Sequence, residues 1–164
     1  MTMPGLRHIL KDSSGAAAAE MVLILPVALA LLFATFEGAY YAICEHRVIK
    51  GVRDASRYAA RLDRIFYACP AATFTGSIPT IKNLARTGQL SGGTTAVTGW
   101  TDSDITVSVT CVPEVGGIYE ATGRNAPVIR VSTVFNYQPL MGALGFTSST
   151  IRIGAAAQSP VIGL

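Results

Sequence analysis

Residues 15–41 read GAAAAEMVLILPVALALLFATFEGAYY, and the stretch from Met21 to Phe36 inside them carries no charge. With Ala16 to Ala19 before it and Gly38 to Ile43 after it, the run supplies about twenty or more apolar residues, the length a helix needs to cross a bilayer core. Glu20 and Glu37 are the acids that interrupt this longer stretch, and Pro26 lies inside it. In lipid such a proline is tolerated as a kink when neighbouring groups re-satisfy the backbone. Two other readings compete with a retained spanning helix. A secretory signal peptide would be cut after the apolar run, but the small residues Ala28 and Ala30 lie too early, inside it, and the following FEGAYYA is a poor cleavage site. A buried core helix of a soluble protein would be amphipathic or shorter, whereas this run is apolar on all faces.

Working outward, the whole chain has 164 residues, enough for one small domain beside the helix. Half the residues are apolar and 14% are charged, with the apolar excess concentrated between Ala16 and Ile43. A net charge of +3 is too small to argue for nucleic acid. The three cysteines, Cys44, Cys69 and Cys111, form no CxxC pair, which speaks against a zinc or thioredoxin-type site. His8 and His46 are the two histidines, and neither lies near a plausible nucleophile. The acids Asp102, Asp104, Glu114 and Glu120 sit in no calcium-loop pattern, and no GxSxG, HExxH or phosphate loop occurs. No catalytic residue, metal site or cofactor is therefore expected.

The segment before the helix, MTMPGLRHILKDSSG, carries Arg7 and Lys11, which would place it in the cytoplasm. Arg47, Lys50, Arg53 and Arg57 on the other flank are more numerous, so basic residues alone do not settle orientation. Gly15 is followed by an alanine tract, then by Glu20, then by the apolar run. Small residues around Gly15 leave the backbone open to a protease. A carboxylate near the top of a membrane helix is costly unless it pairs or stays at the interface. Glu20 could pair with a free amino group at Ala16, and negative charge is favoured near a helix N-terminus. The plainer reading is that Glu20 only marks the interface.

A leader ending in glycine with a glutamate five residues on resembles the type IV prepilin processing site. That resemblance implies cleavage after Gly15 by a prepilin peptidase, leaving Ala16 as the new N-terminus. The run GAAAAEMVLILPVALALLFATFEGAYY further resembles the start of TadE-like proteins, minor pseudopilins of the tight-adherence (Tad, or Flp) pilus. On this resemblance Gly15 matches the glycine before the cut, Glu20 the glutamate, Pro26 the proline after the first apolar turns, and Glu37-Gly38 the acid-glycine pair at the far end. TadF and TadG types begin similarly, so the subtype stays open. Flp-type major pilins are typically much shorter, so the extra domain points to a minor component.

Beyond the apolar run, Val48, Val52, Ala55, Ala59, Leu62 and Phe66 recur at alternating four and three spacing, a stripe on one helix face. Arg47, Lys50, Arg57, Arg61 and Arg64 lie opposite. This predicts one helix from about Ala16 to about Phe66, on the order of 75 Å long at 1.5 Å per residue. It divides into a spanning part, 16–44, and an extracytoplasmic stalk, 45–67. The stripe faces either a partner helix of a pilus or this chain's own domain. The basic face is either a solvated face or a contact with anionic lipid heads.

From Ala68 the composition turns to Thr, Ser and Gly, and residues 68–164 read as a small domain. Ser77 to Arg86 is a short helix, capped by Ser77, with Pro79 in its first turn and Gly88 at its end. Alternation of Ile105, Val107, Val109 and Cys111 with Thr106, Ser108 and Thr110 is a half-buried strand. Val128 to Tyr137 is a second strand with Ile129, Val131, Phe135 and Tyr137 on one face. A third runs from Ile151 and Ile153 to Ala157. The loop Val115 to Pro127 joins the first two strands, and Thr95 to Trp100 reads as an edge strand. Pro139 to Phe146 is an apolar turn, either a partner surface or core. The predicted class is α+β: a long N-terminal transmembrane and stalk helix, then a small antiparallel sheet, a pilin-like plan. In an oxidising compartment Cys69 and Cys111 would pair, closing a loop of about forty residues for roughly 3–4 kcal/mol; two unpaired thiols is the other reading. Cys44 reads as a buried small residue; pairing with another chain is the other reading.

The expected function is a minor pilin or pseudopilin that assists assembly or priming of an adhesive pilus. It would be a single-pass protein of the bacterial inner membrane with a periplasmic C-terminal domain. Its partners would be prepilin peptidase, other minor and major pilins, the inner-membrane assembly platform and membrane lipid, with no nucleic acid. The rival is an unprocessed single-pass envelope protein acting as a binding or scaffold module.

Overall fold

The structure, a computed structural model, describes residues 14–113, 125–144 and 150–163. The chain divides into two units, Met1–Ala39 and Tyr40–Leu164. Helix α1, Ser14–Ala60, runs through both. Alanine, leucine and methionine are strong helix formers, and the helix continues through Pro26, which has no N–H to donate to the carbonyl one turn earlier.

In the first unit every residue from Gly15 to Phe36 is exposed.

The second unit is built on a three-stranded antiparallel sheet. Strands β3 (Ile105–Val112), β4 (Ala126–Asn136) and β5 (Arg152–Pro160) lie in that order. The register is continuous, with Val109 opposite Ile129 and Phe135 opposite Ile153. Alternation sends Ile105, Val109, Ile129, Val131, Phe135 and Ile153 inward. Onto them pack Cys44, Val48, Val52, Ala55 and Ala59 of α1, and Ile81 and Ala85 of helix α2, Ile78–Thr87. Burial of each large aliphatic side chain contributes about 1.5–3 kcal/mol. Gly51 permits the close crossing of the helices, since a Cβ there would stand 2.1 Å from the Ala85 carbonyl oxygen. The start and stop of α2 follow local chemistry. The Ser77 hydroxyl accepts from the Thr80 N–H at 3.4 Å, and Gly88 takes the left-handed conformation at φ 73°.

A two-residue hairpin, β1 (Tyr67–Ala68) with β2 (Thr73–Phe74), sits beside β3. It is tied there by a disulfide between Cys69 and Cys111, whose Cα atoms are 5.8 Å apart.

Several expectations are corrected. Helix α1 stops at Ala60, not near Phe66. Asp63 accepts from the Ile65 N–H at 2.9 Å and starts a 3-10 turn, Arg64–Phe66, which leaves Phe66 exposed and Leu62 half-buried. The Tyr67 hydroxyl donates to the Ala59 carbonyl, and the Ile162 N–H donates to the Ala60 carbonyl at 2.8 Å, so two carbonyls of the last turn are satisfied without further helix. Residues 40–60 are therefore part of the domain and not a separate stalk.

Thr95 to Trp100 is irregular backbone, not an edge strand. Gly99 at φ 82° turns the chain, and the Trp100 ring stacks on Phe135 at 5.8 Å. Its Nε1 donates to Thr133 Oγ1 at 2.9 Å, and that hydroxyl donates to the Asp104 carbonyl at 2.9 Å. Ile151 lies outside β5 and is exposed, while the strand extends past Ala157 to Pro160. In the apolar turn Leu140–Leu144 is a 3-10 element with Leu140 exposed. The leader with Arg7 and Lys11, most of the loop from Val115 to Pro127, and Phe146 lie outside the described residues.

Candidate functional site

Among the described residues, exposed large apolar side chains concentrate on the first part of α1. Val22 and Leu23 are 71% and 75% exposed, and Met21, Leu25, Leu31 and Phe36 are exposed too. Four faces of one helix turn are thus apolar and bare, where a soluble surface helix would show an apolar stripe opposite a polar face. Among the described residues this is the one helix long and apolar enough to cross a membrane.

The residues singled out in this segment stand as follows. Gly15 lies in the first turn of α1, and a Cβ there would meet nothing within 4 Å. Glu20 is exposed and has no hydrogen bond or ion pair among the described residues. A carboxylate beside a fully apolar run, with no partner in its own chain, is stabilised only by water at an interface or by a cation from elsewhere. Pro26 lies six residues further on, within the bare surface. Glu37 is half-buried, and Gly38 has open space at its Cβ position. Gly38 is thus not required by packing inside the chain.

In the second unit Val48, Val52, Ala55 and Ala59 are fully buried against the sheet and α2. The stripe that periodicity revealed is the seam of the chain's own domain, so these four side chains are not available to a partner helix. Phe66 is off the helix altogether. The opposite face carries His46, Ile49, Lys50, Arg53, Asp54 and Arg57, which line one shallow pocket. Arg47 is spent on the domain: its Nη1 donates to the Ala96 carbonyl at 3.1 Å.

The acid pair is likewise committed to structure. Asp102 accepts from Arg86 Nε at 2.6 Å, and Asp104 accepts from the Thr101 N–H at 2.8 Å and its hydroxyl at 2.6 Å. No cluster of three His, Cys, Asp or Glu that could hold a metal ion occurs among the described residues. Cys44 is buried in the core with its thiol free of any disulfide.

An aromatic cluster went unread in the sequence. Tyr137 stands 6.1 Å from Tyr40 and 5.2 Å from Tyr41, the second contact edge-on. The adjacent tyrosines directly after an apolar run were its signal, since such rings favour the boundary between apolar and wet surroundings.

Residues 15–57 match the family model described as TadE-like protein. The match spans the bare apolar helix, Gly15, Glu20, Pro26, Glu37 and Gly38, and continues into the helix that anchors the sheet. No curated protein and no solved structure matches the chain.

Proposed function

We propose that this chain, a TadE-like protein of the Tad pilus system by the match over residues 15–57, is a minor pseudopilin held in the inner membrane by α1. The observation that carries the reading is Glu20, which has no hydrogen bond or ion pair among the described residues, at the entrance of an exposed apolar helix and five residues after Gly15. Prepilin peptidase would cut between Gly15 and Ala16. The freed amino group supplies the cation that Glu20 lacks, from its own chain or from a neighbouring subunit. The apolar helix stays as the single span, and the sheet domain stands in the periplasm, where the Cys69–Cys111 bond is stable.

In this role the domain displays surfaces to other minor and major pilins and to the assembly platform, and the protein assists the start of an adhesive pilus. No catalytic step is assigned to it. Its chemistry is that of a peptidase substrate and an assembly component.

Intact mass and N-terminal sequencing of the protein from its native membrane test the proposal. A mature chain that begins at Ala16 is expected. A chain that still carries Arg7 and Lys11 would overturn it and favour an unprocessed single-pass envelope scaffold.

A further inference from the structure

The two ends of the sheet differ in chemistry. At one end β3 and β4 are joined by residues 113–125, which include Glu114, Glu120 and Arg124. The last turn of α1 lies at this end: Val128 stands opposite Pro160, and the Ala60 carbonyl accepts from the Ile162 N–H. At the other end β4 leads into β5, and residues 137–151 read YQPLMGALGFTSSTI, without a charge. This second end is tied to Tyr40 and Tyr41. The Tyr137 ring meets both of theirs, and the Tyr41 hydroxyl donates to the Arg152 carbonyl at 3.4 Å. The Tyr137 N–H donates to the Ile151 carbonyl at 2.9 Å, which holds the start of β5 beside the same rings.

Apolar side chains at the uncharged end are open. Leu140 is 52% exposed and Ile151 45%, and Ile43, just past the tyrosines on α1, is 49% exposed. Single exposed aliphatic residues are ordinary, but a group of them beside three tyrosines marks an interaction surface. The helix they adjoin says what covers them. Tyr40 and Tyr41 follow directly on the apolar run of α1. About twenty residues separate Glu20 from Tyr40, roughly 30 Å of helix, the thickness of one hydrocarbon core. The first charge after Glu20 is Glu37, about one turn before the tyrosines, and it sets the same boundary. With Glu20 at one interface, Tyr40 and Tyr41 fall at the other, the layer that tyrosine rings prefer.

We propose that this end of the sheet is a second membrane contact, in which Leu140 and Ile151 insert among the headgroups and upper acyl chains of the bilayer that α1 spans. Tyr40, Tyr41 and Tyr137 form the amphipathic layer behind them. Arg152, the first charge after the uncharged stretch, stays at the level of the phosphates. The ligand is the interfacial layer of a lipid bilayer, recognised by apolar insertion and not by one particular headgroup. The domain thus gains a foothold on the membrane that the spanning helix alone does not supply. The inference rests on the reading of α1 as a span and stands apart from leader processing.

The test uses the full chain in nanodiscs of phosphatidylcholine and phosphatidylglycerol, read by NMR. The probes are lipids that carry a nitroxide either at the top of the acyl chain or near its end. The upper nitroxide is expected to broaden the amide signals of Leu140, Met141 and Ile151 as strongly as that of Ile43. Val112 and Ala126, at the charged end of the sheet, should stay sharp. The deep nitroxide should broaden Leu29, which checks the span in the same sample. Leu140→Glu puts a carboxylate where lipid would strip its water, so it should remove most of the broadening at Ile151. The sheet spectrum and the Leu29 broadening should be kept, since Leu140 is exposed. Sharp Leu140 and Ile151 signals beside a broadened Leu29 would overturn the proposal and leave the span standing, whereas a sharp Leu29 would overturn both. Undiminished broadening in Leu140→Glu would overturn it too, because nearness to the helix alone would give that. So would shielding of these amides from a water-soluble gadolinium chelate without any nitroxide effect, the mark of a protein occupant.

Discussion

Leu23 in the first half of α1 is 75% exposed, while Val52 in the second half is fully buried, yet both are aliphatic residues on one helix. Around Leu23 every neighbour but Glu20 at the start of the run is apolar, so no face of the helix is set apart. Around Val52 the apolar residues return every three or four positions and charged ones fill the gaps. The first pattern cannot be satisfied by one flat protein surface and calls for an apolar solvent on all sides. The second is satisfied by a single sheet. Periodicity, and not hydrophobicity itself, thus separates a helix that lipid can solvate from one that a domain covers.

Breaking the second half should leave the first intact. Trp100 is the largest fully buried side chain of the domain and ties Thr133 to the Asp104 carbonyl. Trp100→Ala should lower the stability of the sheet domain by about 3–5 kcal/mol, from lost transfer energy and the cavity left behind. Denaturant titration of the full chain in micelles, followed by near-UV circular dichroism, reads this. Membrane association measured by flotation should not change. A variant that both unfolds and leaves the membrane would show that the halves are not independent.

The converse change acts on the helix alone. Leu29→Arg places a charge in the middle of the bare apolar run, at an exposed site. The cost of inserting it is about 2.5–3.5 kcal/mol. Flotation should shift protein into the soluble or aggregated fraction, while the disulfide Cys69–Cys111 and the domain's denaturant midpoint stay as they were. Unchanged membrane partition would sink the reading of residues 16–44 as a span.

The contrast also explains which features could be read from sequence. The apolar run, the three alternating strands and the capped helix after Ser77 each follow from neighbours in the chain, through composition, period two and local hydrogen bonds. The stripe of Val48, Val52, Ala55 and Ala59 announced a buried face, but a period cannot say what buries it. Leu62 and Phe66 continued the spacing by chance, and the events that end the helix are distant: Tyr67 folding back on Ala59 and Ile162 reaching Ala60. Trp100 sits in a segment whose valine and threonine content imitates a strand, but Gly99 turns the backbone at φ 82° and the Trp100 ring stacks on the distant Phe135. For the candidate site, Gly15, Glu20, Pro26, Glu37 and Gly38 were visible through a local motif, whereas the meeting of Tyr137 with Tyr40 and Tyr41 depends on packing between residues distant in the chain.

Tyr67 offers the smallest effect and the finest probe of where the domain takes over from the helix. Burial pushes its phenol from the ordinary 10.0 up to about 12, and its hydroxyl donates to the Ala59 carbonyl, a bond that needs the proton. The folded state thus holds that proton more tightly than the unfolded chain does. The resulting stability is fully present below pH 10 and is lost progressively as pH rises from about 10 to about 12, because the unfolded chain ionises first. Denaturant midpoints taken across this window should fall in the native chain, and Tyr67→Phe should flatten the part of the slope that belongs to this residue. The variant also leaves the Ala59 carbonyl without its donor, so its midpoint should be lower at neutral pH. If the two chains instead kept parallel alkaline slopes, the last turn of α1 would not be closed by Tyr67, and the helix end at Ala60 would owe itself to the Ile162 contact alone.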